Sequence, residues 1–418
     1  MKPIAFRRQL LICAAGLAIG LPAYAADAAD AAPARSGLAQ ALEQAWRLHP
    51  QAAALEGREA EARAAQDVAA GLTPEPGSLS IGSRSDRLNR NRGMQEYEVE
   101  LAAPLWLPGQ KAAREAEAAS RVDAVAARRA ALRAELAGEL RDAWWSLAAA
   151  RNARLLAARR LDTARALEAD VSRRYKVGEL SRIDANLAQS EVHAAGAELI
   201  ETEATLLQAE QALRTLTGTA APQDMAEEAP PRLAQAGVPA TPEAHPLLAA
   251  AAATARSARA RVTVADQSRR AAPELALRMV RERGDFAEPY ANTVGIQLKI
   301  PFSSQALVRR EGSAAQAEAD QADAEMLRAQ TRVRLETERA RRALDAAERQ
   351  LAMAQERLAL STENLRLSEK AFSLGESDLA TLLRIRAAAF DAEAFLDRQR
   401  VARAAAISRL NQALGVLP

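Results

Sequence analysis

Few residues in this chain are of a kind that could do chemistry. Three histidines, His49, His193 and His245, and one cysteine, Cys13, are scattered along 418 residues. No two of them stand at the spacing by which a helix or loop offers a pair of ligands to one metal ion. The serines lie in helical patterns without a nucleophile elbow, and no glycine-rich phosphate loop is present. The abundant Glu and Asp residues follow the surface spacing of helices. These residues point away from catalysis and need neither a cofactor nor a metal. What remains is charge placement. Arg84, Arg87, Arg90 and Arg92 crowd one short segment, where they form either a solvated loop or a set of guanidinium forks for phosphate oxygens.

A duplication positions the other features. Pro104 and Pro301, Gly178 and Gly375, Glu179 and Glu376, and Gly218 and Gly415 each lie 197 residues apart. The pairs His49-Pro50 and His245-Pro246 miss that offset by one. Rare punctuating residues at a shared offset mark two copies of one unit, each of which must repeat one architecture. The offset from Asp184 falls on Thr381, with Arg384 three residues later.

Residues 1–25 stand outside this plan. Lys2, Arg7 and Arg8 precede an apolar run from Leu10 to Leu21, and Ala23-Tyr24-Ala25 closes it with the small residues a signal peptidase reads. An uncleaved anchor and lipidation at Cys13 are the rival readings. The run is shorter than the roughly 20 residues of a helical span, and Ile12 is too bulky to precede a lipidated cysteine. Export follows, with a mature chain free of thiols. No other stretch of 18 or more apolar residues occurs, so any entry of the mature chain into a membrane must be made by strands. The 56 basic and 54 acidic residues leave a net charge of +2, which builds no field for nucleic acid.

Within repeat one (26–218), a helical pattern over 38–72 ends at Thr73-Pro74-Glu75-Pro76-Gly77. The period then shortens to two over a hairpin at 78–104, where Tyr97, Val99 and Leu101 alternate with Glu96, Glu98 and Glu100. A long helix over 108–176 and a return helix over 180–217 follow. Repeat two (244–418) carries the same order, with a hairpin over 273–302 in which Val294, Ile296, Leu298 and Ile300 form one alternating series, a long helix over 304–373 and a return helix over 377–414. A linker rich in Pro, Ala and Glu (219–243) joins the repeats. Tyr97, Trp106, Tyr290 and Phe302 fall in or beside the strands, as a membrane aromatic girdle would.

The long helices carry heptads. Leu344, Leu351, Leu358, Leu365 and Phe372 fall seven apart, with Ala347, Ala354, Ser361 and Ser368 at the small position of the seam. A rod of almost 70 residues spans roughly 100 Å, and the two shorter helices of unit one, roughly 35 and 38 residues, would cover it end to end. Four strands per chain cannot close a barrel, because transmembrane barrels begin at about eight. Several chains must share one, and three would supply twelve strands. The expected fold is therefore mainly α with a small β part: two tandem repeats of long coiled-coil helices forming an α-barrel, each with a β-hairpin contributed to a shared 12-stranded barrel.

At this point the chain resembles the TolC family of outer-membrane efflux channels, over both repeats. The most specific stretch is Arg174-Tyr175-Lys176-Val177-Gly178-Glu179-Leu180-Ser181-Arg182-Ile183-Asp184, similar to the family's helix-turn pattern. The resemblance implies a homotrimer in the outer membrane, an α-barrel reaching across the periplasm, and two partners, a periplasmic adaptor and an inner-membrane transporter. It also implies that Arg174, Tyr175, Gly178, Ser181, Phe372 and Gly375 form the adaptor-contact tip, and that Asp184, Thr381 and Arg384 lie at a periplasmic gate. The family's acidic gate is not repeated at Thr381, and an Asp184–Arg384 pair across neighbouring hairpins is expected in its place. Residues 103–111, Ala103-Pro104-Leu105-Trp106-Leu107-Pro108-Gly109-Gln110-Lys111, resemble the strand-to-helix junction of CzcC-type subunits of heavy-metal pumps. Metal cations and small toxic compounds both stay open as cargo. A periplasmic adaptor and a structural coiled-coil spacer are the competing readings, although neither explains two strand pairs each followed by a rod.

Overall fold

The computed structural model describes residues 37–231, 245–302 and 304–418. The signal segment, Cys13 and linker residues 232–243 lie outside the described residues. The chain runs α1 (Gly37–Leu48), α2 (Pro50–Ala69), β1 (Ser78–Ser85), β2 (Gln95–Pro104), α3 (Gln110–Lys176), α4 (Arg182–Thr217), α5 (Pro246–Gln267), β3 (Glu274–Arg283), β4 (Ala291–Lys299), α6 (Gln305–Ser373) and α7 (Leu379–Ala413). Where the sequence predicts one helix over 38–72, the structure has two. Pro50 has no N–H to donate and restricts the residue before it. His49 accordingly turns extended (φ −72°, ψ 121°) and Pro50 opens α2 at its first turn. Gly109, not Pro108, caps the start of α3, with φ +81°.

The two rods, α3 of 67 residues and α6 of 69, set the length of the body. On one side α3 packs against α1, α2 and α4, and α5 and α7 fill the space between α3 and α6. Short helices meet end to end in each repeat. The C-terminus of α4 abuts the α1–α2 break, where a Cβ on Gly218 would stand 2.6 Å from Leu48 Cδ1. The C-terminus of α7 abuts the start of α5, where a Cβ on Gly415 would stand 2.6 Å from Pro246 Cδ. Both glycines have positive φ, +71° and +74°, so the joints need glycine for conformation and for space together.

The main core gathers Leu38, Leu42, Leu140, Trp144, Leu147 and Leu213, all from α1, α3 and α4. Along α6 the buried residues are the small Ala319, Ala322, Ala340, Ala347, Ala354 and Ser368, together with Phe372 at the tip. The larger Leu344, Leu351, Leu358 and Leu365 are half-exposed.

The four strands form one antiparallel sheet in the order β1-β2-β3-β4. The central pairing, Val99 opposite Met279 and Leu101 opposite Leu277, joins the two repeats. Among the described residues β1 and β4 have no neighbour on their outer sides.

Candidate membrane face and helical tips

Directly opposed residues in an antiparallel sheet share a face, so the register sorts the side chains. Leu79 faces Leu101 and Ile81 faces Val99, Leu101 faces Leu277 and Val99 faces Met279, and those two face Ile296 and Val294. The result is a continuous apolar face four strands wide. The reverse face carries Arg84, Glu96, Glu98, Glu100, Arg278 and Glu282, with Arg278 paired to Glu98 at 2.6 Å and Arg84 to Glu96 at 3.2 Å. Among the described residues no core covers the apolar side: Ile81 is 76% exposed, Ile296 78% and Leu277 50%. Strands of eight to ten residues span about 25–33 Å at a rise of about 3.3 Å per residue, enough for the apolar band of roughly 25 Å that an outer-membrane barrel shows. No helix among the described residues is long and apolar enough to cross a membrane.

The four girdle residues separate into two ends. Tyr97 and Tyr290 lie 6.5 Å apart between ring centroids near the hairpin loops, and Arg281 and Arg283 each sit 4.8 Å over the Tyr290 ring. Trp106 and Phe302 lie at the helix end. Phe302 is 97% exposed, whereas Trp106 is half-buried, donates its indole N–H to the Gly71 carbonyl at 3.1 Å and stacks under Arg114. Trp106 thus closes the strand-to-helix junction of repeat one as well as marking its level. In the first hairpin loop, Arg92 donates its backbone N–H to the Asp86 carboxylate at 2.7 Å. The side chains of Arg87, Arg90 and Arg92 meet no acidic partner among the described residues.

At the opposite end, α3–α4 and α6–α7 turn with one shared geometry. Gly178 (φ +82°) donates to the Tyr175 carbonyl at 3.0 Å and Glu179 to Arg174 at 2.9 Å; Gly375 (φ +77°) donates to Phe372 at 3.1 Å and Glu376 to Ala371 at 2.9 Å. Each is a Schellman cap, satisfying carbonyls that the helix end leaves open. The turns pack on each other through Leu167, Val171, Ala188, Phe372, Leu379 and Leu382, and Arg174 lies 5.0 Å over the Phe372 ring while pairing with Glu179 at 3.1 Å. Five of the six tip residues therefore occupy the two turns, and Ser181 opens the return helix beside them. Tyr175, Val177, Ile183 and Leu374 are left exposed.

The return helices start differently. Ser181 caps α4: its hydroxyl accepts from the Asp184 N–H at 3.2 Å, and the Asp184 carboxylate accepts from the Ser181 N–H at 3.0 Å and its hydroxyl at 2.7 Å, a capping box. In α7 the carboxylate moves to the cap itself, where Asp378 accepts from the Thr381 N–H at 2.7 Å. Asp378 lies 197 residues after Ser181 as Thr381 does after Asp184, so the acid has shifted by one helical turn rather than vanished. Hydrogen bonds from Thr381, joined by the charge of Arg384, hold the Asp378 carboxyl below its ordinary pKa. Within one chain Asp184 and Arg384 are not paired; Asp184 serves its own helix and Arg384 stands by Asp378. The sequence expectation at Thr381 and Arg384 does not include Asp378, whose signal is its 197-residue offset from Ser181.

The sequence reading also missed Arg141, which is 2% exposed. Its guanidinium makes a two-point pair with Glu228 at 3.0 and 2.7 Å and donates to the Val416 carbonyl at 2.9 Å. Arg151 donates to the carbonyls of Pro222 and Gln223. The described part of the linker is thereby strapped across α3 and α7. Among the described residues no group of three His, Cys, Asp or Glu side chains could hold a metal ion.

Two repeats of paired rods, a four-stranded sheet with an uncovered apolar face, and glycine-capped turns at the far end define the fold expected of the TolC resemblance. Solved structures share that fold over almost the whole length: a membrane protein from Pseudomonas aeruginosa (22% identity, TM-score 0.72, 90% of this chain and 93% of that one), the outer membrane protein VceC of Vibrio cholerae (15%, 0.73, 91% and 96%) and CusC, which forms a transmembrane channel (16%, 0.74, 91% and 92%). No family model and no curated protein matches the chain.

Proposed function

We propose that this chain is a member of the TolC family and the outer-membrane channel subunit of a tripartite efflux assembly, a passive export duct and not an enzyme. One observation carries the reading: a sheet with one apolar and one charged face, uncovered on the apolar side and unpaired at both edges. A lone sheet of this kind would leave backbone groups open in lipid at several kcal/mol each. Three copies joining β4 to β1 close twelve strands, with Leu79, Val99, Leu277 and Ile296 facing lipid and Glu98, Glu100 and Arg278 lining the lumen. The same closure sets the half-exposed leucines of α6 against α2 and α4 of the next copy, completing an α-barrel. The glycine-capped turns, with Tyr175, Val177, Ile183 and Leu374 exposed, then form the periplasmic end that meets an adaptor, which couples the duct to an inner-membrane transporter. Asp184, Asp378 and Arg384 ring the mouth at that end. The cargo of the duct is metal cations or small toxic compounds, and the likeness of residues 103–111 to CzcC-type subunits is the feature that brings metal cations into that pair.

Fractionation of the tagged protein, followed by gel migration with and without boiling, tests the reading. An outer-membrane species that runs as a trimer until heated is the expected result; a soluble periplasmic monomer would leave the adaptor or spacer reading. For the tip, Gly178→Trp should abolish cross-linking to the adaptor while trimers persist, and normal cross-linking would remove that assignment.

A further inference from the structure

The two strand-to-helix junctions are copies that have diverged. In repeat one Trp106 closes the junction by bonding to Gly71. In repeat two the residue at the same offset is Ser303, without a ring, and a cleft of about 540 Å³ opens between the end of α5, the end of β4 and the start of α6, lined among others by Arg269, Arg270, Ile300, Phe302, Val308 and Arg309. At the 197-residue offset the three arginines become Leu72, Thr73 and Ala112, so none of these three cations is repeated at the first junction, where Arg114 lies over the Trp106 ring. Arg269 makes one exposed contact, to Asp266 at 2.9 Å. Arg270 and Arg309 meet no acidic side chain among the described residues. Ile300 and Phe302 continue the parity of Val294, Ile296 and Leu298, so the cleft lies where the apolar face ends.

From this charge and position we infer that the cleft binds the phosphate of a glycerophospholipid in the periplasmic leaflet of the outer membrane. The inference rests on the membrane reading given above. An apolar band ending in an exposed ring and three guanidinium groups matches an amphiphile whose chains lie along Ile296, Ile300 and Phe302. Its phosphate oxygens then accept charge-assisted hydrogen bonds from the arginine forks. Arginine stems lie along apolar surface while their heads reach the polar layer, which places the cations at phosphate level.

The test uses the full trimer in nanodiscs containing phosphatidylglycerol, with lipid retained after detergent transfer read by native mass spectrometry. The wild-type trimer should keep bound phosphatidylglycerol. Arg269→Ala/Arg270→Ala/Arg309→Ala should weaken retention roughly fivefold per arginine and about a hundredfold in all, while the corresponding triple lysine variant, which keeps the charge, should recover part of it. Equal retention by the alanine variant would overturn the inference, as would displacement of the lipid by inorganic phosphate at equal concentration, which would mark a free-anion site. A trimer in the outer membrane without arginine-dependent retention overturns the inference alone. Absence of that trimer overturns the channel reading with it.

Discussion

Repeat one and repeat two solve the same mechanical problems with the same backbone and with different side chains. Both rods end in a Schellman cap on glycine, both return helices end at a positive-φ glycine packed at a His-Pro helix start earlier in the same repeat, and each hairpin supplies two strands to one sheet. Against that constancy, Ser181 and Asp184 in one unit become Asp378 and Thr381 in the other. Arg141, buried under the linker, has Glu338 at its offset, exposed on α6. His49 leaves its Nδ1 without a partner, whereas His245 accepts from the Leu247 N–H at 3.2 Å. The difference teaches that backbone devices set the shape, which both units need, while charges move to wherever each unit meets its own neighbours.

The sharpest break in the comparison is at Arg141. Arg141→Ala leaves Glu228 buried without its partner and should cost about 3–5 kcal/mol, read as a fall in thermal midpoint of the isolated protein. Glu338→Ala, its repeat-two counterpart, should leave that midpoint unchanged. A comparable loss in both would mean that the linker strap is not what distinguishes the units.

On the sheet the contrast is between faces. Val99→Arg places a cation on the apolar side and should cost about 2–4 kcal/mol near the middle of a bilayer, visible as loss of heat-stable trimer. Glu100→Arg on the charged face should assemble normally. Equal assembly of the two would show that the apolar face does not meet lipid.

The glycines separate conformation from space. At Gly375 nothing lies within 4 Å of an added Cβ, so Gly375→Ala should cost only the left-handed penalty of about 1–2 kcal/mol. Gly415→Ala meets Pro246 and His245 as well and should lower the thermal midpoint further. The same ranking is expected of Gly178→Ala and Gly218→Ala, and a reversed order in either unit would refute the joint described here.

The smallest effect concerns pH. Burial pushes the His245 imidazole below its ordinary pKa, opposed by its bond to the Ala413 carbonyl and by the charge of Glu336. The folded protein therefore favours the neutral ring, and the unfolded chain takes up a proton first. Stability contributed here is full above the unfolded value of about 6.5 and declines as pH falls towards the lower folded value. His245→Gln should flatten the pH dependence of the melting midpoint over that interval, and an unchanged slope would exclude His245 as its source.

Local periodicity and punctuation determined much of this protein. Alternation in Tyr97–Leu101 and Val294–Ile300, the glycines that end each rod and the 197-residue offset are legible because strand parity, helix caps and repeats are short-range properties of a chain. The break at His49-Pro50 was legible in principle, since proline acts on its own neighbours, although the helical pattern on both sides masked it. Other features were decided only by tertiary structure. Nothing in the sequence near Arg141 marks it for burial, because its partner Glu228 lies 87 residues away and is brought there by a linker of irregular conformation. Pairing of β2 with β3, the turn of Trp106 towards Gly71 and the opening of an arginine-lined cleft at the second junction depend likewise on which rods lie side by side. Electrostatic and steric fit between distant segments has no period, so packing alone could settle it.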